Sequence, residues 1–191
     1  MPDTYEVGAV RGVEELEQIL ALQRKNLKQH VSAEEARSEG FVTVEHDLRA
    51  LRRMHALAPS IVARHEGVIV GYALTMPREC RDLLPVLVPM FDLLERLDFQ
   101  GRPLSARRFY VMGQVCVDKA HRGRGVFDSL FATHRDLYRE RYDMLVTEVS
   151  TSNPRSQRAH ERVGFVPVHT YRDATDEWVV SLWNWDESPR R

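Results

Sequence analysis

The chain has 191 residues, and its 27 Lys and Arg against 28 Asp and Glu leave a formal net charge of −1. That length supports one well-buried core, and the interspersed, balanced charge gives no basis for a nucleic-acid partner, which normally selects a basic excess. No segment nears the roughly 18 apolar residues of a membrane span, since Leu83 to Leu97 is broken by Pro85, Pro89, Asp92 and Glu95.

Met1-Pro2-Asp3-Thr4 carries neither the basic flank nor the apolar run of a signal peptide. Cytoplasmic residence is therefore expected, and the presence of only Cys80 and Cys116 agrees with it. These cysteines show no ligand spacing with each other or with a histidine, so no metal is expected.

Tyr5 to Val10 reads as a strand, and the spacing of Val13, Leu16, Ile19, Leu20 and Leu27 predicts an amphipathic helix over 13–28. Residues 29–44 are mixed, with a capping pattern at Ser32 and Glu35. A second helix is expected over Val44 to Ala56, ended with the help of Pro59. Ser60 to His65 and Val68 to Met76, separated by Glu66-Gly67, read as an antiparallel hairpin. Residues 78–108 are the least regular part, an insert in which Leu84, Leu87, Phe91, Leu94 and Leu97 suggest helical pieces. Phe109 to Val117 is the next strand, followed by a glycine turn and a helix over Phe127 to Tyr142. Met144 to Val149 is a strand, Asn153 to Val163 a helix, and Phe165 to Tyr171 with Glu177 to Trp185 a closing hairpin. The order β-α-α-β-β-(insert)-β-α-β-α-β-β describes a mixed α/β, or α+β, single domain over 1–191. The basic end at Arg190 and Arg191 is expected to fray.

The most informative stretch is His121-Arg122-Gly123-Arg124-Gly125-Val126-Phe127, placed between a strand and an amphipathic helix. Glycines let the backbone turn tightly and leave its amides unshielded. The helix start adds free N–H groups and the positive end of a macrodipole, and the arginines add charge. Such a turn suits a phosphate, so a pyrophosphate-bearing ligand is the first expectation.

Two motifs then carry a family resemblance. Arg122-Gly123-Arg124-Gly125-Val126-Phe127 resembles the pyrophosphate loop Q/R-x-x-G-x-G/A of the GNAT superfamily of N-acetyltransferases, with Phe127 departing from the usual small residue. About thirty residues on, Asn153 to Phe165 is similar to the pattern N-x-x-A-x-x-L-Y-x-x-x-G-F, with Ser156 in place of the alanine and His160 in place of the tyrosine. The resemblance is clear over residues 109–172. It implies a mostly antiparallel central sheet with a splayed central strand pair, flanked by about four helices.

The resemblance also implies a set of roles. Backbone amides from Arg122, Gly123, Arg124, Gly125, Val126 and Phe127 would hold the pyrophosphate of acetyl-CoA. Val115, Cys116 and Val117 would present main-chain groups to the pantetheine arm, and an amide near Val115 would polarise the thioester carbonyl. Gly113 is expected to mark a bulge that opens the central strand. Asn153 and Ser156 join the coenzyme site, although Asn153 before Pro154 is also a helix cap. Gly164 reads as the helix stop. Cys116 reads as a packed residue, because the family transfers its acyl group directly.

His160 occupies the position of the family's proton donor. With an ordinary pKa it would be about a quarter protonated at pH 7 and able to donate to the departing thiolate. The competing reading is a packed histidine between helix and sheet. The central strand carries no carboxylate, so Glu148 on the adjacent strand is the candidate base, against a structural pairing with an arginine. Gln114 could orient a water or an amine, and Tyr110 and Tyr72 are lesser candidates. His121 either approaches a phosphate or is an ordinary surface histidine, and Arg155 and Arg158 are solvated unless one meets a coenzyme phosphate.

The expected activity is acyl-CoA-dependent N-acyl transfer, from acetyl-CoA to the amine of a small molecule or peptide. A coenzyme A-binding sensor without catalysis, and a nucleotide or RNA binder using the Arg-Gly-Arg-Gly turn, are the alternatives. Acceptor recognition is assigned to the first two helices, the 78–108 insert and the last hairpin. The insert is read as a lid, a homodimer contact or plain core packing. Trp178, Trp183 and Trp185 could line an apolar acceptor pocket or a subunit interface.

Overall fold

A computed structural model describes residues 4–32, 34 and 41–185. Glu35, Arg190 and Arg191 lie outside the described residues, and with them the expected capping pattern and basic end. A seven-stranded sheet spans the described chain in the order β1-β2-β3-β6-β7-β9-β8. Its strands are β1 (Glu6–Ala9), β2 (Ile61–His65), β3 (Val68–Pro77), β6 (Phe109–Val117), β7 (Met144–Ser150), β8 (Val166–Arg172) and β9 (Glu177–Asn184). Every neighbouring pair is antiparallel except β6–β7, which is parallel. This is the mostly antiparallel sheet that the family resemblance implies.

Five α-helices occur among the described residues: α1 (Val13–Asn26), α2 (Leu48–Leu57), α3 (Val88–Leu94), α4 (Val126–Tyr138) and α5 (Pro154–Val163). The fifth is α3, inside the insert. One face of the sheet packs a core in which Leu16, Ile19, Leu51 and Met54 of α1 and α2 meet Tyr72, Leu74 and Met76 of β3. The other face packs Leu130, Phe131 and Tyr138 of α4 against Ile61, Ala63, Ala73 and Tyr110. The second helix starts at Leu48 rather than Val44, because Asp47 caps it by accepting from the Ala50 N–H at 2.7 Å. Residues 42–44 are thereby left outside the helix.

The β2–β3 hairpin turns through Glu66 and Gly67, both at positive φ, as the two-residue Glu-Gly connection predicts. The insert buries Leu87, Met90, Phe91, Leu94 and Leu104 in the main core and adds a short hairpin of β4 (Asp98–Phe99) and β5 (Arg102–Pro103). Of its three expected roles, core packing is the one its leucines perform. No helix among the described residues is long and apolar enough to cross a membrane.

Two features of β6 open the sheet at its centre. Ala73 pairs with Val115 while Thr75 pairs with Met112, so two steps on β3 match three on β6. The extra residue falls at Gly113–Gln114, a bulge where Gly113 was expected to mark one. A side chain at Gly113 would also press within 3.3 Å of Met54 and Met76. On its other edge β6 pairs with β7 only from Phe109 to Val111, against Met144 to Val146. Beyond those residues the two central strands diverge.

Candidate active site

A cleft of about 480 Å³ opens between the start of α4 and the start of α5, lined by Val115, Cys116 and Val117, the glycine turn, Phe127, Asn153 and Ser156. Gly125 sits at φ 79° and Gly123 at φ 73°, the left-handed conformation that is unfavourable for residues bearing a side chain. A Cβ built on either would meet nothing within 4 Å, so these glycines serve the turn's path and leave open space beside it. Gly125 immediately precedes α4, whose first-turn amides have no intrahelical acceptor. The cleft therefore presents backbone donors and a helix dipole to an anion, as the sequence predicts.

The side chain of Arg122 is used differently. Its Nε donates to the Val117 carbonyl at 2.9 Å and its Nη2 to Asn26 Oδ1 at 2.8 Å. It ties the turn to the end of β6 and to the end of α1. The cationic lining includes instead a stripe on α5, where Arg155, Arg158 and Arg162 all face the cleft. Arg162 is paired with Asp128 at 2.8 Å. His121 also lines the cleft, with its Nδ1 3.1 Å from the Tyr5 hydroxyl and its ring centre 5.1 Å from that of His65. Phe127, the departure from a small residue, packs its ring on Phe131 and nearly perpendicular to the His160 ring. Its bulk is absorbed between α4 and α5.

A second, narrower cleft of about 80 Å³ continues from the first into the gap where β6 and β7 diverge. Phe41, Val42, Val115, Asn153 and Ser156 belong to both. Its inner wall is Thr147, Glu148, Val149 and Ser150 of β7, and Trp178 closes one side. Glu148 accepts a hydrogen bond from the Tyr171 hydroxyl at 2.5 Å rather than pairing with an arginine. Burial, with a smaller push from Asp173, raises its pKa to about 7 despite that hydrogen bond. A carboxyl poised there exchanges protons at neutral pH, and Glu148 is brought to the gap as expected.

His160 also lines this second cleft, but it departs from the expected charge state. It is 3% exposed, boxed by Phe127, Phe131 and Phe165, whose rings stand nearly perpendicular to its own. Its Nδ1 lies 2.8 Å from the Ser156 carbonyl, an atom that only accepts, so the hydrogen sits on Nδ1 and Nε2 is bare. Burial lowers its pKa to about 4. The quarter-protonated imidazolium anticipated from an ordinary pKa is corrected to a neutral ring with no Nε2 hydrogen to donate. The packed-histidine alternative describes this geometry.

Several lesser candidates are placed elsewhere. Cys116 is buried, and its thiol is pushed up to about 12, far from a reactive thiolate. Gln114 accepts from the Tyr72 hydroxyl at 2.6 Å and donates to the Val44 carbonyl at 2.7 Å, which commits both ends of its amide. Tyr110 is fully buried and donates to His134 Nδ1 at 2.9 Å, while His134 Nε2 donates to the Ala73 carbonyl. Trp183 and Trp185 pack with Phe131, Phe165 and Tyr110, so only Trp178 of the three reaches a cleft. Among the described residues, no residue of 78–108 lines either cleft.

Sequence reasoning missed the strap Phe41 to Val44, which lines the second cleft and, through Phe41 and Val42, the first. The strap is held by the Asn153 Nδ2–H on the Phe41 carbonyl (3.3 Å) and the Val42 N–H on the Asn26 carbonyl (3.0 Å). Gln114 fastens its far end at Val44. The only local signal was an apolar run, Phe-Val-Thr-Val, among polar neighbours. Tyr171, the partner of Glu148, was equally hidden, since the two meet across the intervening strand β9.

Comparison with known proteins agrees with this fold. The acetyltransferase (GNAT) family profile matches residues 16–165. No curated protein sequence matches the chain. Among solved structures, the ribosomal-protein-S18-alanine N-acetyltransferase from Escherichia coli superposes with a TM-score of 0.65 at 10% identity, covering 98% of this chain and 97% of that one. The NatC complex bound to Gag peptide and CoA gives 0.63 at 13% identity, with 96% and 99% covered. The protein yncA from Salmonella typhimurium, solved with its cofactor acetyl-CoA, gives 0.60 at 16% identity, with 97% and 96% covered. At such identities these structures share the fold with this chain.

Proposed function

Because this chain belongs to the acetyltransferase (GNAT) family, we propose that it is an N-acetyltransferase that moves an acetyl group directly from acetyl-CoA to an amine. The observation that carries the reading is the continuity of the two clefts. A glycine turn built for a phosphate opens into a channel that ends, between diverging strands, at a carboxyl titrating near pH 7.

In this reading the coenzyme pyrophosphate rests on the amides of Arg122 to Phe127. The β7-facing main-chain edge of β6 beyond Val111 has no strand partner, and Val115 to Val117 offer its groups to the pantetheine arm. The amine nitrogen attacks the thioester carbonyl carbon, and the carbon–sulfur bond breaks with its electron pair leaving on sulfur. Glu148 takes the proton that the nitrogen sheds. His160 shapes the cleft wall as a neutral ring, and Asn153 and Ser156 build the helix start behind the coenzyme.

Calorimetric titration with acetyl-CoA, followed by thiol-release assays on an amine panel, tests the proposal. Saturable acetyl-CoA binding and amine-dependent thiol release are expected. Failure to bind any acyl-CoA removes the reading. Binding without release for every amine favours a coenzyme-binding sensor.

A further inference from the structure

Lys28, just beyond α1, joins three segments that are distant in the chain, and its consequence for the clefts rests on the transferase reading above. Its Nζ lies 4.9 Å from the centre of the Phe41 ring and 3.6 Å from Asp176 Oδ2, in the turn between β8 and β9. Its main chain grips the strap as well, since the Lys28 N–H donates to the Val42 carbonyl at 2.9 Å. Asp176 is firmly anchored. Its Oδ2 also accepts from Ser150 Oγ at 2.6 Å and Ser152 Oγ at 3.1 Å, and its Oδ1 accepts from the Glu177 N–H at 2.9 Å. Ser150 and Phe41 both line the second cleft, so the ammonium ties one of its walls to another.

A side chain half exposed to water gains little stability from one ion pair and one ring contact. The ring that Lys28 holds, however, is otherwise loosely set. Among the described residues, Phe41 packs into neither hydrophobic core. Asn153 holds its carbonyl, which fixes the strap but not the ring. Phe41 also lines the first cleft, so a ligand that runs from the glycine turn into the gap between β6 and β7 passes this ring. A cation near a ring face is attracted by the ring quadrupole, and that attraction can seat the ring where no core packs around it.

We propose that Lys28 is a positioning residue of the transferase: its ammonium seats the Phe41 ring against the coenzyme arm where the two clefts meet, and Asp176 holds the ammonium in place. An apolar wall at that junction meets the methyl and methylene groups of the arm and limits its sideways movement. The thioester is thereby held at the entrance to the gap beside Glu148. Lys28 makes no contact with the reacting atoms. Its effect passes through Phe41, which sets it apart from a lysine that pairs with a coenzyme phosphate.

Calorimetric titration of the full chain with acetyl-CoA tests this in the parent, Lys28→Met, Lys28→Arg, Phe41→Leu and the Lys28→Met, Phe41→Leu double variant, with a thermal melt of each. Lys28→Met should weaken acetyl-CoA binding about threefold to tenfold with little change in melting temperature. Lys28→Arg, which keeps a cation for both the ring and Asp176, should restore it. Phe41→Leu should lose about as much alone, and adding Lys28→Met to it should change Kd less than about twofold. Unchanged binding in Lys28→Met overturns the proposal. So does an equal loss in the Phe41→Leu background, because the ammonium would then meet the coenzyme directly. A loss that Lys28→Arg does not restore, or that follows a lower melting temperature, also overturns it. If the parent binds no acetyl-CoA, the transferase reading fails, and the role of Lys28 with it.

Discussion

Asn153 and Phe41 lie 112 positions apart and are joined by one hydrogen bond, from the Asn153 Nδ2 to the Phe41 carbonyl at 3.3 Å. The other end of the same amide caps α5 by accepting from the Ser156 N–H at 3.2 Å. One side chain thus starts the helix beside the first cleft and holds the strap that walls both. Asn153→Asp keeps the cap and loses the strap donor. It should leave thermal stability within about 1 kcal/mol of the parent while raising the acceptor KM roughly 3–10-fold, the range for one lost hydrogen bond. Asn153→Ala should in addition lower stability by about 1 kcal/mol. Denaturant melts and steady-state kinetics on both variants check this.

Glu148 sets the expected pH profile. Its pKa is raised to about 7, so the base form accumulates as pH rises through 7 and the rate should climb to a plateau above it. Glu148→Gln should lose about 100-fold or more in kcat and lose that limb. Stability runs the other way. The folded carboxyl binds its proton more tightly than the unfolded one, so its contribution is full below the unfolded value near 4.5 and is lost as pH rises through 7. Glu148→Gln should consequently melt higher than the parent at pH 8, with little difference at pH 4.

Three buried histidines give the opposite slope. Burial lowers His46, His134 and His160 to about 4. Unfolded histidines bind protons from about 6.5 downward, so the stability these rings provide is complete above that pH and is lost as pH falls toward 4. His160→Phe should shallow the acid limb of a Tm-against-pH curve and change kcat less than about threefold. A kcat collapse in this variant would restore His160 as a proton donor.

Arg122 and Arg158 separate bracing from charge. Arg122→Gln breaks bonds to Val117 and Asn26 and should lower the melting temperature as well as coenzyme affinity. Arg158→Gln, on the exposed face of α5 at the cleft, should leave the melt unchanged, weaken acetyl-CoA binding about tenfold and flatten its salt dependence. Calorimetry at two ionic strengths distinguishes them.

Gly164 tests the end of α5. It sits at φ 117°, and the bonds from Phe165 N–H to the His160 carbonyl and from Gly164 N–H to the Glu161 carbonyl close the helix. An added Cβ would lie 2.6 Å from Trp183 Nε1. Gly164→Ala should destabilise by roughly 1–3 kcal/mol in chemical denaturation, from strain and contact together.

Features with local causes were legible in the chain. The glycine turn, the Asn153-Pro154 helix start, the Gly164 stop and the Glu-Gly hairpin are each dictated by backbone preferences within a few residues. The two motifs in order, with a strand between, were enough to point to the family and to the cleft at the glycine turn. Folding decided what depends on burial and on meetings across the sheet. The neutral state of His160 follows from three phenylalanine rings contributed by α4 and by the chain after α5. The raised Glu148 follows from its seclusion beside Tyr171, two strands away in the sheet. The inward turn of Arg122 depends on Asn26 at the end of α1, and the shared wall of Phe41 to Val44 on Asn26, Gln114 and Asn153 together. A charge state is set by the surroundings of a side chain and not by its neighbours in the chain. The position of the cleft at the glycine turn could therefore be read along the sequence, whereas the protonation of Glu148 and His160 could not.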